Sequence, residues 1–438
     1  MARILAYTSP ATGHLYPLVP GLLELQRRGH QVHIRTLSRS LDEMAAVGLD
    51  AASVDPATVV VPGDHPIDED SHRLENGLRS ILDRAGHDAA DLTAAINDVA
   101  PDLLIVDVNC YGACVSAEAS GIPWALAMPS LLPLPGRGIP PYSLGMPPAR
   151  GVLGRLRDAI MWPIVERAFG RALLPELNVL RRRAGLPEFS SPLDQWDTPD
   201  LVLALTGEPL EYPRTHLPAN VAMVGFQPWD PPAQAPAYLD EPGDPWVLVT
   251  CSTEYQGDES LARVAAEALR GEPFRVLLTL ADAYDQAGVE PGGNIYLERF
   301  VSHAAVLRSC AAVVTHSGMG IVGKATAHGV PIVSVPFGRD QPEIARRIME
   351  AGVGVRVGPK ELSPDRLRQA VREAVALRPR VRQVAVEMAA ADPAGAFADA
   401  VDRLAQRNAD DRGSAQCSGL HTGFRAARGI QCRLRPDA

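Results

Sequence analysis

The chain has 438 residues, 46% of them hydrophobic and 5% aromatic, with a formal net charge of −10 and a pI near 5.6. That length exceeds one ordinary hydrophobic core and predicts two domains of roughly 200 residues each. The acidic balance excludes the clustered Lys and Arg on which non-specific nucleic-acid binding depends, and no apolar run approaches the roughly 20 residues of a bilayer-spanning helix; the expected partner is a small molecule.

In chain order, Met1-Ala2-Arg3 leads directly into the strand-like run Ile4 to Tyr7, too short for the apolar part of a secretory signal, so a cytoplasmic location is expected. The helix-prone Leu15 to Arg28 and the apolar Val32 to Arg35 complete a βαβ rhythm. The polar stretch Asp64 to Arg79 reads as a loop. The rhythm resumes with Leu103 to Val106, helix-prone Ala113 to Ala119, Ala125 to Met128, Leu201 to Leu205 and Val221 to Val224. Within it, Pro129 to Pro148 is too rich in Pro and Gly to be regular and is read, with the amphipathic segment Val152 to Arg183, as a substrate-facing wall.

Prolines 228, 231, 232, 236, 242 and 245 then disfavour both helix and central strand, which marks an interdomain linker. A second series follows: Trp246 to Thr250, Glu259 to Leu269, Arg275 to Leu280, Ile295 to Leu297, Ala304 to Ser309 and Ala311 to Val314. From Asn408 onward the residues are polar and without periodicity. The six cysteines (110, 114, 251, 310, 417 and 432) form no C-x-x-C pair, so neither a disulfide nor a zinc site is expected.

Val314 to Arg347 carries the most chemistry. A strand end, His316, Gly318, Gly320 and a helix predicted over Ile321 to His328 describe a turn whose free N–H groups can hold an anion. In the first half, His14 stands in the first βα loop, where a neutral imidazole can take a proton or can simply be a structural hydrogen-bonder. Asp107 ends the strand Leu103 to Val106, and such a carboxylate can orient His14 or cap a helix. Thr250 to Glu254 offers hydroxyl and N–H groups after another strand, and Phe300 is either a core residue or a stacking face. No H-E-x-x-H zinc motif or G-x-S-x-G elbow is present, so the sequence supports neither a metalloenzyme nor a hydrolase of those types.

With Gly13-His14 and Pro17, Gly29-His30-x-Val32, Asp107, Gly121-Ile122-Pro123 and the run Thr315 to Gln341, the sequence resembles the inverting nucleotide-sugar glycosyltransferases of the GT-B fold, from Arg3 to about Arg407. Within them it is similar to the actinobacterial macrolide and natural-product enzymes, which are UDP-glycosyltransferase-like. The resemblance implies an α/β GT-B architecture of two doubly wound Rossmann-like domains facing a cleft. Residues 1–225 would bind the acceptor, 226–245 form the Pro-rich linker, 246–407 bind the nucleotide sugar, and 408–438 form a disordered tail.

It further implies that His14 is the general base and Asp107 its orienting carboxylate. The donor would meet Ser252, Thr253, Phe300, Val301, His303, His316, Ser317, Gly318, Met319 and Gly320, with Asp340 and Gln341 on the sugar. The implied reaction moves a hexose from a UDP- or dTDP-sugar to a hydroxyl of a small hydrophobic acceptor, giving a β-glycoside. The nucleotide sugar is a co-substrate; no cofactor or metal is expected, and a homodimer is possible. Three positions depart from the family pattern: Ser317 replaces a glycine, His303 a common Gln, and Lys324 a ribose-binding Glu, which leans the donor toward dTDP-sugars. The alternatives are a GT-B sugar-nucleotide epimerase and a non-catalytic activator protein of the same fold.

Overall fold

A computed structural model gives the architecture and describes residues 1–59, 78–79, 81–232, 235–251, 259–281, 284–285 and 287–417, with side chains to residue 408. The apolar runs that the sequence alternates with helices are the strands of two parallel sheets. The first contains β1 (Arg3–Tyr7), β2 (Gln31–Thr36), β3 (Asp50–Ser53), β4 (Leu103–Asp107), β5 (Trp124–Met128), β6 (Leu201–Ala204) and β7 (Val221–Met223), in the order β3-β2-β1-β4-β5-β6-β7. Its inner strands β4, β5 and β6 are buried at every position, as expected for strands covered on both faces. The second contains β8 (Trp246–Thr250), β9 (Arg275–Thr279), β10 (Ile295–Glu298), β11 (Cys310–Thr315), β12 (Ile332–Ser334) and β13 (Gly354–Arg356), in the order β10-β9-β8-β11-β12-β13.

Both orders reverse once: β4 lies on the far side of β1 from β2, and β11 on the far side of β8 from β9. At such a reversal the loops leaving the two central strands diverge to opposite faces and leave a crevice beyond the strand ends. The sites of interest are therefore the loops after β1 and β4 and those after β8 and β11. These ends are held toward each other by contacts between the sheets' loops. Ser130 Oγ, after β5, donates to Asp340 Oδ2 at 2.8 Å, and Ser143 Oγ donates to the Arg339 carbonyl at 2.8 Å. Gly145, at φ +62°, lies so close to the Pro342 carbonyl that a side chain there would collide with it. Beneath them Arg347 is buried between Glu343 (3.0 Å) and Glu211 (3.4 Å), with its guanidinium 3.4 Å from the Tyr212 ring centre.

Residues 129–150 contain no helix or strand beyond a single bridge, and the segment after them is one helix, Gly151–Arg183, despite Pro163 and Pro175. Val152, Leu153, Leu156, Ile160 and Ile164 form an exposed apolar stripe along its first half.

The C-terminal end differs from expectation in two ways. The last helix, Pro393–Cys417, runs well past Asn408, so the irregular tail expected from that residue is helical at its start. Its first turns also belong to the other half of the molecule: Phe397, Ala398, Ala400, Val401 and Leu404 pack with Leu18, Leu22 and Leu25 in the core of the first sheet. Arg28 bonds to Asp399 at 2.6 Å and Asp402 at 2.8 Å, and His30 Nε2 lies 2.8 Å from Asp402. The apolar face of this helix fits a surface of the first sheet that residues 1–225 leave open, which overrides chain order.

Candidate active site

The loop after β1 closes into a single helical turn, Thr12–Leu15, which places His14 over the crevice between β1 and β4. Its Nδ1 lies 2.8 Å from Asp107 Oδ2 at the end of β4; the carboxylate is fully buried, while the His14 side chain retains 24% exposure. The other oxygen, Oδ1, accepts the backbone N–H of Asn109 at 3.0 Å. Asn109 Nδ2 lies 3.1 Å from His14 Nε2. A carboxylate on Nδ1 fixes the tautomer with hydrogen on that nitrogen, leaving the Nε2 lone pair directed away from Asp107. The two residues that the sequence placed at one sheet edge are therefore in contact.

Behind the pair lies a buried polar cluster that sequence reasoning missed. Arg84, 4% exposed, donates from Nη2 to Ser9 Oγ at 2.9 Å and to the Asn109 carbonyl at 2.8 Å. Its Nε lies 3.7 Å from Asp88 Oδ2, and Tyr7 donates to Asp91 at 3.0 Å. Burial pushes the Asp88 carboxyl up to about 7, with the Arg84 charge and the Tyr7 hydroxyl acting against it. The available signal for Asn109 was its place two residues after a strand-ending Asp, the spacing of an Asx turn. Arg84 and Asp88 carried no comparable signal.

In the second sheet, β11 ends at Thr315, and the helix Met319–Ala327 begins two residues earlier than predicted. Between them Ser317 adopts φ +82°, a left-handed backbone that costs a non-glycine residue roughly 1–2 kcal/mol. This accounts for the glycine usual at the position. Here a hydrogen bond between the Ser317 and Ser334 hydroxyls, buried at the end of β12, offsets the strain. His316 is 8% exposed, and a Cβ on Gly318 would stand 2.7 Å from its Nε2, so glycine is needed for the imidazole to lie over the helix start. Met319 is buried and Gly320 half-exposed in the first helical turn.

Lys324 is not an isolated ammonium at a ribose site. Its Nζ lies 2.6 Å from Asp230 Oδ1 of the linker, and Asp230 Oδ2 also accepts the Ala304 N–H at 2.9 Å. Beside them, burial and then the Lys324 charge push His303 down to about 4, so near neutrality it is an uncharged group, with Nε2 3.3 Å from Thr279 Oγ1. That neutrality is shared with the Gln usual at this position. Phe300 is 49% exposed, a free aromatic face rather than a core residue, while the adjacent Val301 is buried.

Asp340 stands at the N-cap position of the helix Gln341–Ala351 without a side-chain capping bond, and its carboxylate instead receives the Ser130 hydroxyl; the Gln341 side-chain oxygen accepts the N–H groups of Phe337 and Gly338. Ser252 and Thr253 lie outside the described residues, as does most of the loop read at Asp64 to Arg79. Among the described residues no three His, Cys, Asp or Glu gather as a metal site, and no helix is long and apolar enough to cross a membrane.

Two parallel α/β sheets with facing strand ends, a His–Asp pair on one and a tight turn carrying His316 at a helix start on the other, are the architecture of a GT-B glycosyltransferase. Residues 275–402 match the family model described as the erythromycin biosynthesis protein CIII-like, C-terminal domain. Over 425 residues the chain is 33% identical to 4'-demethylrebeccamycin synthase of Lentzea aerocolonigenes, covering 92% of this chain and 99% of that protein. It is 26% identical to the 3-alpha-mycarosylerythronolide B desosaminyl transferase of Saccharopolyspora erythraea, over 84% of this chain and 90% of that one. Among solved structures, the glycosyltransferase VinC in complex with dTDP matches with a TM-score of 0.65 at 25% identity, over 92% of this chain and all of that one. The kitacinnamycin glycosyltransferase matches in fold with a TM-score of 0.69 at 22% identity, over 92% of this chain and 99% of that one. The chain belongs to the natural-product glycosyltransferases of the GT-B fold, and it is an enzyme of that class.

Proposed function

We propose that this glycosyltransferase moves a hexose from a dTDP- or UDP-sugar to a hydroxyl of a small hydrophobic natural product, such as a macrolide or polyketide, with inversion at the anomeric carbon. The observation that carries this reading is the 2.8 Å contact between His14 Nδ1 and the buried Asp107, which leaves Nε2 as the basic atom. Nε2 takes the acceptor hydroxyl proton while that oxygen bonds to the anomeric carbon. The bond from this carbon to the diphosphate breaks, and its electron pair leaves on the phosphate oxygen. An α-linked donor thus gives a β-glycoside. Asp107 stabilises the imidazolium that forms, without itself taking the proton.

His316 and the first N–H groups of the helix Met319–Ala327 are assigned to the departing diphosphate, where a helix N-terminus and an imidazole donor suit concentrated negative charge. No metal ion is assigned to the step. Phe300, by its exposure, is assigned to stacking on the base. The exposed stripe of Val152, Leu156 and Ile160 supports a hydrophobic acceptor. The Lys324 ammonium, a donor only, offers no acceptor to a ribose 2′-hydroxyl, which favours a dTDP-sugar slightly. A cytoplasmic location, where nucleotide sugars are made, is part of the proposal and agrees with the free, buried thiols of Cys110 and Cys310.

The test is product analysis with α-linked dTDP- and UDP-hexoses against a panel of macrolides, polyketides and flavonoids, for wild type and His14→Ala. The substitution should lower transfer by about 10²–10⁴-fold, the usual worth of a general base, and leave nucleoside-diphosphate affinity nearly unchanged. Near-normal transfer by folded His14→Ala protein, or an α-glycoside product, would overturn the reading.

A further inference from the structure

The nitrogen assigned as the base is already in contact with a side chain. Asn109 Nδ2 lies 3.1 Å from His14 Nε2 while Nδ1 is engaged by Asp107. With hydrogen on Nδ1, Nε2 presents a lone pair, and the Asn109 N–H group donates to it. An incoming hydroxyl needs that same lone pair.

Asn109 is held there at two further points. Its backbone N–H donates to Asp107 Oδ1 at 3.0 Å, and its carbonyl accepts from Arg84 Nη2 at 2.8 Å. The same Arg84 nitrogen reaches Ser9 Oγ at 2.9 Å, in the loop that carries His14. One buried guanidinium therefore ties the loop after β1 to the loop after β4, and Asn109 shares this anchor with the base.

We propose that Asn109 is a positioning residue that caps the base until an acceptor arrives, and so restrains transfer of the sugar to water. The inference rests on the reading of His14 as base. With no acceptor present, the amide occupies the Nε2 lone pair, and a water molecule beside the donor finds no free base. A bulky acceptor, bound through its apolar surface, gains enough contact to displace the amide, whereas a water molecule makes no such contact. The chemistry then balances as before: the acceptor proton moves to Nε2, the acceptor oxygen bonds to the anomeric carbon, and the diphosphate leaves with the electron pair. A half-turn of the carboxamide presents Oδ1 to the imidazolium Nε2–H. One side chain thus serves both protonation states and is not consumed.

The experiment compares wild type, Asn109→Ala, Asn109→Asp and His14→Ala. It measures hydrolysis of a dTDP- or UDP-hexose without acceptor, transfer to an acceptor, and dTDP or UDP affinity by calorimetry. Asn109→Ala should raise the ratio of hydrolysis to transfer about tenfold, one hydrogen bond's worth, with nucleotide affinity unchanged. Asn109→Asp keeps the shape but places a carboxylate against Nε2, which holds the proton there; its kcat for transfer should fall at least about tenfold with the acceptor KM unchanged. An unchanged ratio in Asn109→Ala, or equal losses of both rates together with nucleotide affinity, would overturn the inference. If Asn109→Ala fails to fold, Asn109→Asp decides: wild-type kcat overturns the inference. Loss of neither rate in His14→Ala would instead overturn the assignment of the base.

Discussion

Replacing Lys324 by Glu tests both the donor reading and the joint between the domains. Lys324 lies on the helix Met319–Ala327, and its Nζ is 2.6 Å from Asp230 Oδ1, with the two side chains only 12% and 8% exposed. Little solvent screening is available at that depth. Two unit charges about 4 Å apart interact by about 4 kcal/mol at an effective dielectric of about 20, so the substitution turns attraction of that size into repulsion. Removing one partner of a buried pair costs about 3–5 kcal/mol in measured cases. At roughly 2–4 °C per kcal/mol for a domain of this size, Lys324→Glu should lower the unfolding midpoint by about 6–20 °C. The charge-reversed double variant, with Asp230→Lys added, should recover most of this loss. Recovery will be incomplete, because Asp230 Oδ2 also accepts the Ala304 N–H, which an ammonium cannot do. Thermal unfolding of the four proteins in a double-mutant cycle gives the coupling directly. If Lys324→Glu melts at the wild-type midpoint, the pair is not formed in solution. The double variant is also the proper protein for comparing kcat/KM with dTDP- and UDP-glucose, and a carboxylate at position 324 should move that ratio toward UDP.

Asp88→Asn should have no effect on stability near pH 4 and a stabilising effect that grows toward pH 8. The folded carboxyl is raised from 3.8 to about 7, so through this range the native state holds a proton that the unfolded chain has lost, and stability falls as pH rises. Asn mimics the protonated form and removes a loss of up to about 4 kcal/mol; urea midpoints at the two pH values check this, and a pH-independent difference would refute it. Phe397→Ala should cost about 3–5 kcal/mol, because the ring is fully buried against Gly21 in the first sheet's core, and denaturant unfolding should show the loss in the first domain.

The two parallel sheets were legible because inner strands such as Leu103–Asp107 and Trp246–Thr250 are short, continuous apolar runs separated by helix-length segments. The destination of Pro393–Cys417 was not legible. Its apolar residues announce a buried face but do not say which surface receives it; that depends on a gap beside Leu18, Leu22 and Leu25 that exists only once the first sheet is assembled. Likewise Ser317 looked like a departure from a glycine turn. Only the backbone, at φ +82°, together with the Ser334 hydroxyl shows how a serine is accommodated there.

The site divides in the same way. His14 follows β1 and Asp107 ends β4, and the parallel sheet sends both strand ends to one edge, so their proximity follows from β1 and β4 being neighbours in the sheet. What order does not supply is the side chain that meets the far side of the imidazole, or the cation that fixes the loops. Asn109 takes its role from an Asx turn on Asp107, and Arg84 from the turn that precedes the helix Ala85–Val99, from which its guanidinium reaches both loops. The charge of Lys324 was legible, but its partner was not, because Asp230 lies in a proline-rich stretch whose path periodicity cannot trace. The sequence therefore indicates which groups can do the chemistry, while the groups that restrain them come from segments brought together only by the fold. Substitutions at Asn109, Arg84 and Asp230 are accordingly where changes in selectivity should be sought without loss of the His14–Asp107 pair.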